Sequence, residues 1–521
     1  MRISIVTVLF ALVSQTALAQ SDWTDSEETV KAEPAKNLQY KLEMQASVSK
    51  GKTPLWLNAN KYGLSSLDKT NGYLRAALER PLATDSMRRW GVGYGLDLAV
   101  PLHYTSHFVV QQAYAEGRWL HGTLTVGSKE WPMELKNNSL SSGSQTLGKN
   151  ARPVPQVRLA LPGYWKIPGL RGWLQLKGHI AYGMMTDDSW QHEFTNRQSR
   201  YADHVLYHSK AGYLRIGNDD TIYPVSLELG LEMATEFGGK PYVRNGDKME
   251  LVPTEGGIKS FWNAFLPGGQ DATDGLYGNK EGNVLGSWLF RLNYNADTWR
   301  LALYGDHFFE DHSQMFLLDY NGYGEGEEWN TWKKRRYFMY SLKDMMLGAE
   351  LNLKYGTWLR NVVFEYLYTK YQSGPYNHDR TQNISDHIAG MDDYYNHGNY
   401  PGWQHWGQVI GNPLFRSPVY NTNGQIYVYD NRFWAMHLGF DGQPTERLAY
   451  RAMATYQVGW GTYSSPFTRK HHNVSFLAEA SYGFSHGWKA TLAYGMDFGS
   501  QKMLGHNAGA QLTISKSGLL F

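Results

Sequence analysis

From Leu38 to Val48 the chain alternates without a break, with Leu38, Tyr40, Leu42, Met44, Ala46 and Val48 on one parity and Gln39, Lys41, Glu43, Gln45 and Ser47 on the other. Period two sends the two sets to opposite faces of a β-strand. The same alternation returns at Trp90, Val92, Tyr94, Leu96, Leu98 and Val100, and at Leu174, Leu176, Gly178, Ile180, Tyr182 and Met184. It returns again at Val225, Leu227, Leu229, Leu231 and Met233, and at Trp488, Ala490, Leu492, Tyr494, Met496 and Phe498. These runs extend over about 9–11 residues, the length a tilted strand needs to cross a bilayer. Strands of soluble proteins cluster nearer ~5–6. Aromatic residues such as Trp90, Tyr182, Tyr482, Trp488 and Phe498 fall near the run ends, where the membrane–water interface of a barrel collects them. The pattern predicts an all-β fold, a transmembrane antiparallel β-barrel occupying residues 38–521.

Connections come in two sizes. Gly483-Phe484-Ser485-His486-Gly487 reads as a tight turn, whereas 310–336 and 372–432 are long, polar and aromatic. Short turns on one side and long loops on the other suit an outer-membrane barrel. Upstream, Met1-Arg2 leads an apolar stretch that ends in Ala17-Leu18-Ala19, the pattern of a secretory signal peptide cut after Ala19. About 11 apolar residues are too few to span a hydrocarbon core that needs about 20. Residues 20–37 are charged, carry Pro34 and read as a periplasmic lead-in. The last residue, Phe521, resembles the terminal aromatic by which barrel assembly machinery recognises its clients. The alternation shifts parity between Ile514 and Leu519, which predicts a bulge at Gly518 or a loose signal.

Composition sharpens this picture. The chain has 54 Gly, 36 Tyr, 20 Phe and 19 Trp yet a polar mean hydropathy of −0.50, as expected when wettable lumen positions dilute a greasy outer face. With no cysteine, neither disulfides nor an N-terminal lipid anchor is available. Without Arg2, 49 Lys+Arg stand against 48 Asp+Glu, so nucleic acid is not an expected partner.

Several irregular segments carry a family resemblance. They are Pro54-Leu55-Trp56-Leu57-Asn58-Ala59-Asn60-Lys61-Tyr62-Gly63, Leu140-Ser141-Ser142-Gly143, Asn150-Ala151-Arg152-Pro153-Val154-Pro155-Gln156, Tyr371-Gln372-Ser373-Gly374-Pro375, Tyr394-Tyr395-Asn396, Gly402-Trp403, Ile410-Gly411-Asn412-Pro413-Leu414, Asn431-Arg432 and Trp460-Gly461-Thr462-Tyr463. In order and spacing the set resembles the capsule assembly Wzi family of outer-membrane proteins. That resemblance implies a monomeric barrel of about eighteen strands, plugged from the periplasm, capped by folded loops and acting as a lectin for capsular polysaccharide. The family's periplasmic helical bundle has no clear counterpart; only 54–67 and 130–147 offer room for short helices.

The candidate carbohydrate site is the loop Asp392-Asp393-Tyr394-Tyr395-Asn396-His397 continuing to Trp403-Gln404-His405-Trp406. Sugars stack their C–H faces on aromatic rings while carboxylates and amides take hydroxyls, and a polymer multiplies weak contacts. Asp392, Asp393, Tyr394, Tyr395, Trp403, His405 and Trp406 are the residues assigned to it, and packing of the loop on itself is the competing reading. Lys333-Lys334-Arg335-Arg336 could grip uronates or phosphates, but the nearby Glu325, Glu327 and Glu328 favour pairing within the loop. His307, Glu310, Asp311 and His312 match no zinc spacing, and alternation separates Glu310 from Asp311. The G-x-S-x-G at 483–487 lacks the helix of a nucleophile elbow, and Gly322-Tyr323-Gly324-Glu325-Gly326 lacks a phosphate-loop context. Lumen charges such as Lys41, Glu43, Glu228 and Glu232 are expected to pair across strands. No cofactor, metal or catalytic group is expected. The leading function is polysaccharide binding at the cell surface and the alternative is a porin-like channel for small solutes or oligosaccharides. Outer-membrane lipid, lipopolysaccharide and barrel assembly machinery complete the expected partners.

Overall fold

The alternating runs are strands, and they close on themselves. The computed structural model describes residues 36–217, 223–254, 257–265, 282–310, 321–323, 326–328, 330–334, 344–372 and 392–520. Eighteen strands form one antiparallel sheet. They are β1 (Gln39–Lys50), β2 (Thr70–Arg80), β3 (Trp90–Leu102), β4 (Val109–Trp119), β5 (Gly122–Ser128) and β6 (Gln156–Lys166). Then come β7 (Leu174–Met184), β8 (Leu206–Ile216), β9 (Val225–Phe237), β10 (Asn283–Asn295), β11 (Trp299–Glu310) and β12 (Met345–Leu353). The last six are β13 (Asn361–Tyr368), β14 (Phe433–Gly442), β15 (Leu448–Gly461), β16 (Pro466–Gly483), β17 (Trp488–Gly499) and β18 (His506–Leu519). Each pairs with its sequence neighbours, and β18 returns to β1 from Gln39↔Leu519 to Lys50↔Ala508. No edge is left open, so every strand's backbone donors and acceptors have a ladder available.

Burial is inside out. Leu42, Met44, Val48, Leu74, Val92, Leu96 and Val100 are exposed on the outer wall, while Gln45, Ser47, Asn71, Asp97 and Gln111 are buried toward the lumen. In water this arrangement would expose its apolar surface at a cost of roughly 25 cal/mol per Å²; in lipid it is the stable one. Trp90 stacks on Trp119 at 5.8 Å and Tyr294 on Trp299 at 5.3 Å, both at the same rim. These pairs form the girdle that the run ends predicted.

That rim carries the short connections, 120–121, 296–298, 443–447 and 484–487. The opposite rim carries 51–69, 129–155, 185–205 and 369–432. Barrels of this type turn their short connections to the periplasm and their long ones outward. Residues 483–487 are a hairpin turn between β16 and β17, as expected. The register of β18 on β1 runs unbroken to Leu519, so the parity shift is not a bulge. Leu519 occupies a lumen-parity position at the short-turn rim, where it is exposed among the described residues. Phe521, residues 1–35 and the basic residues Arg335 and Arg336 lie outside the described residues, while Lys333 and Lys334 belong to a short strand paired with Asn321–Tyr323.

The lumen charges find partners, although often neutral ones. Arg75 on β2 reaches Asp97 on β3, and Lys41 pairs with Glu43 two residues along the same strand at 2.6 Å. Glu43 accepts from Tyr73 (2.7 Å), Glu228 from Tyr164 (2.6 Å) and Glu232 from Tyr213 (2.7 Å). A tyrosine hydroxyl satisfies a buried carboxylate without bringing a second charge out of water. His307 lies on the outer face and Glu310 on the lumen side, as alternation requires; Asp311 and His312 lie outside the described residues.

Candidate functional site: a plugged lumen and its outer mouth

Three connections from the long-loop rim, 52–67, 129–155 and 392–432, fold into the barrel. The first makes one helical turn, α1 (Leu55–Asn58). Leu55 N–H donates to Asp497 on β17 (3.1 Å), and Trp56 Nε1 donates to Thr455 on β15 (3.1 Å) while its ring sits 5.0 Å from His437. The second segment forms no helix over 130–147. Its Asn and Ser residues compete with helical bonding and hold the wall instead. Ser141 Oγ, Ser142 N and Ser142 Oγ converge on Glu365 of β13 at 2.5, 2.8 and 2.5 Å. Lys136 Nζ lies 2.7 Å from Asp306 of β11 with both groups buried, and Gln145 N donates to the same carboxylate at 3.1 Å. Among the described residues, the filling therefore enters from the long-loop side.

The third segment locks the other two. Trp403 Nε1 donates to Thr146 O (2.9 Å), and its ring lies parallel to Tyr207 of β8 at 5.8 Å. Tyr395 N donates to Glu310 (2.5 Å), and the Tyr395 hydroxyl donates to Gln145 O while accepting from Asn412 N (3.0 Å). Gly411 is required here, because a Cβ would lie 2.0 Å from the Tyr395 hydroxyl. Tyr394 donates to Asp344 (3.0 Å), and His405 bridges Arg152 O and Thr186 N at 2.9 and 3.1 Å.

Of the seven residues assigned to sugar from the sequence, Tyr394, Tyr395, Trp403 and His405 are fully buried. As placed, their rings offer no face on which a sugar could stack. They pack the loop, and their aromatic density reflects a lumen to be filled. Asp392, Asp393 and Trp406 keep accessible surface, with the Arg152 guanidinium lying 4.2 Å over the Trp406 ring.

Beside Asp393 lies a half-buried cluster that the sequence reading did not assign. Asp393 accepts from Asn431 (2.6 Å), Asn396 (3.1 Å) and the Tyr427 hydroxyl. Tyr427 also meets Ser464 Oγ at 2.9 Å and packs edge-on against Tyr429 at 4.9 Å. Arg432 covers Tyr463 at 3.6 Å. A signal was present in the chain. Ile426, Val428 and Asp430 are buried while Gln425, Tyr427 and Tyr429 alternate outward, so a short period-two run already placed both tyrosines on one face. The cluster offers aromatic edges, a carboxylate, amides and hydroxyls within one patch, the mixture that hydrogen-bonds polyols and stacks their apolar faces.

Titratable groups in the third segment pull in opposite directions. Burial pushes His397 down to about 4 and lowers His405. Both ring systems accept backbone N–H bonds, His397 from Asn399 and Tyr400 and His405 from Thr186, and so must stay neutral. Burial pushes Asp430 up to about 7. Depressed His397 contributes stability that is lost as pH falls from 6.5 toward 4, and depressed His405 acts in the same direction. The raised carboxyl is favoured when protonated, so it strengthens docking as pH falls from 7 toward 4. The His397 effect is worth roughly 3 kcal/mol and the Asp430 effect roughly 4, so the two largely offset. Asp430→Asn is expected to leave the histidine effect alone, so that hydrogen exchange across 392–432 becomes faster at pH 4.5 than at 7.5 after correction for intrinsic rates.

No protein-family model and no curated protein matches the chain. Among solved structures, Wzi of Escherichia coli, described as an outer-membrane protein involved in group 1 capsule assembly and a carbohydrate-binding β-barrel, aligns over 99% of this chain and 89% of its own. The TM-score is 0.53 at 12% identity. The chain shares the Wzi fold. OprD of Pseudomonas aeruginosa aligns over 93% of this chain and 95% of its own, with a TM-score of 0.43 and 9% identity. OccAB4 of Acinetobacter baumannii gives 0.42 at 9% identity over 93% and 98%. Likeness at that level is too loose to bear on function. The expectation of a Wzi-like closed barrel of eighteen strands is met.

Proposed function

We propose that this outer-membrane barrel binds capsular or another surface polysaccharide at its long-loop mouth and takes part in assembling or holding it there. The observation that carries the reading is the plug. Segments 52–67, 129–155 and 392–432 occupy the lumen and are tied to the wall and to one another by buried hydrogen bonds, an arrangement suited to displaying a surface and poorly suited to passing solutes. The Wzi structure, whose own description is a carbohydrate-binding barrel in capsule assembly, adds weight to the same reading. In this scheme residues 1–19 are a cleaved export signal, 20–37 a periplasmic lead-in, and the protein works as a monomer.

Asp392, Asp393 and Trp406 supply the accessible part of the loop first assigned to sugar, and Tyr427, Tyr429 and Tyr463 extend it. Replacing Tyr427 and Tyr429 together by alanine is expected to weaken polysaccharide binding about tenfold, the equivalent of ~1.4 kcal/mol. The measurement is retention of purified surface polysaccharide by detergent-solubilised protein. Equal retention at equal amounts of folded barrel would remove this patch from the site. For the function itself, deletion of the gene should shift polysaccharide from cells to medium; unchanged retention would defeat the proposal. Stable conductance on the nanosiemens scale from the wild-type protein would favour the channel reading instead.

A further inference from the structure

The outer wall departs from its lipid-facing pattern over a sector from β8 to β11. Outward positions near the long-loop rim of β8 to β11 are buried: His208, Met233, Phe237, Val284 and Phe309. Elsewhere, outward residues of similar strands are about half exposed, such as Val100 at 58%. Part of the cover is a helix from the connection after β9, α2 (Ile258–Phe265). It lies outside the barrel. Tyr182 of β7 donates to Phe261 O at 2.8 Å, Phe237 meets Phe261 edge-on at 5.3 Å, and Lys210 of β8 donates to Phe265 O.

This helix is apolar on two sides, with Phe261 and Phe265 packed on the wall and a second apolar face turned away from it. Ser260 and Ala264, one turn apart, are buried against the wall, whereas Ile258 is 89% and Trp262 52% exposed. A helix on a soluble surface turns such large apolar groups inward. Exposed apolar side chains also mark the strands beside it, where outward Leu229, Trp288, Phe290 and Leu292 form the belt. We infer that α2 is an interfacial element whose Ile258–Trp262 face lies in the outer-leaflet lipid, continuing the belt over the sector where the wall itself carries His208 and Lys210. Burial of its apolar face at the headgroup boundary is the mode of a helix lying in the membrane plane. A tryptophan such as Trp262 is suited to that depth. The helix in effect shields from lipid two polar wall residues that a barrel strand would otherwise present to it.

The absence of native cysteine makes a direct test simple. Nitroxide is attached to Ile258→Cys and, separately, Trp262→Cys in the full barrel reconstituted in bilayers containing lipopolysaccharide. Leu292→Cys serves as the lipid reference and Asp247→Cys, in an exposed turn, as the water reference. Collision rates with molecular oxygen and with a neutral nickel chelate are then compared, after heat-modifiable migration confirms that each variant is folded. At both helix sites the ratio of oxygen to nickel collisions is expected to match Leu292. A ratio matching Asp247 at both sites overturns the inference. So does a split result in which Ile258, the more exposed of the two, matches Asp247. Sugar binding does not enter the argument, so the two proposals fail independently.

Discussion

Glu365→Ala is expected to loosen the 129–155 segment and give a flickering ion conductance in planar bilayers beyond any that the wild type shows. Glu365 accepts Ser141 Oγ, Ser142 N, Ser142 Oγ and the Tyr304 hydroxyl, the last at 2.6 Å, and is fully buried. A bond to a buried charged acceptor contributes about 1.5–3 kcal/mol. Losing the three from the plug, while Lys136–Asp306 still holds, should cost docking about 4 kcal/mol after relaxation. At 1.4 kcal/mol per decade, the undocked population rises by about three orders of magnitude. A conductance record no different from wild type would mean that the segment blocks the lumen without Glu365, and that its docking rests on other contacts.

The second large effect is expected at Trp403. Trp403→Ala leaves a cavity between β8 and the plug and abandons the Thr146 carbonyl, for a cost of about 3–5 kcal/mol. Because the bond from Trp403 Nε1 crosses from the third segment to the second, the loss should spread. Amide exchange should accelerate around Thr146 as well as around Trp403, while the barrel keeps its heat-modifiable migration. Trp403→Phe should recover the packing but not the Thr146 bond, and so fall between. Exchange confined to the immediate neighbours of residue 403 would show that the segments dock separately.

The wall was legible because a membrane strand repeats one physical demand at every second residue. The runs beginning at Leu38, Trp90, Leu174, Val225 and Trp488 coincide with β1, β3, β7, β9 and β17 to within a few residues. The end of β18 misled only because parity at the short-turn rim is unconstrained by lipid. The candidate site was harder. Tyr394, Tyr395 and Trp403 have the composition of a sugar platform and the location of a core, and no local pattern separates these when the core is a loop folded into a lumen. What decides between them is which side of the wall a distant carboxylate faces, Glu310 or Glu365, and that depends on closure of the whole sheet. The resemblance motifs at 54–63, 140–143, 150–156, 394–396 and 410–414 turn out to be plug segments, which gives their ordered set a physical basis. Tyr427 and Tyr429 were missed because their alternating run is short and lies inside a long connection.

The way Leu55 reaches Asp497, across 442 positions of sequence, sets an order of events during biogenesis. The first connection to leave the assembly site cannot dock until nearly the last strand has arrived, since its partners on β15 and β17 are made at the end of the chain. Contacts so remote are slow to form, and closing the intervening loop is entropically costly. The 52–67 segment therefore sets late, and a chain stalled short of β17 would lack that part of its filling.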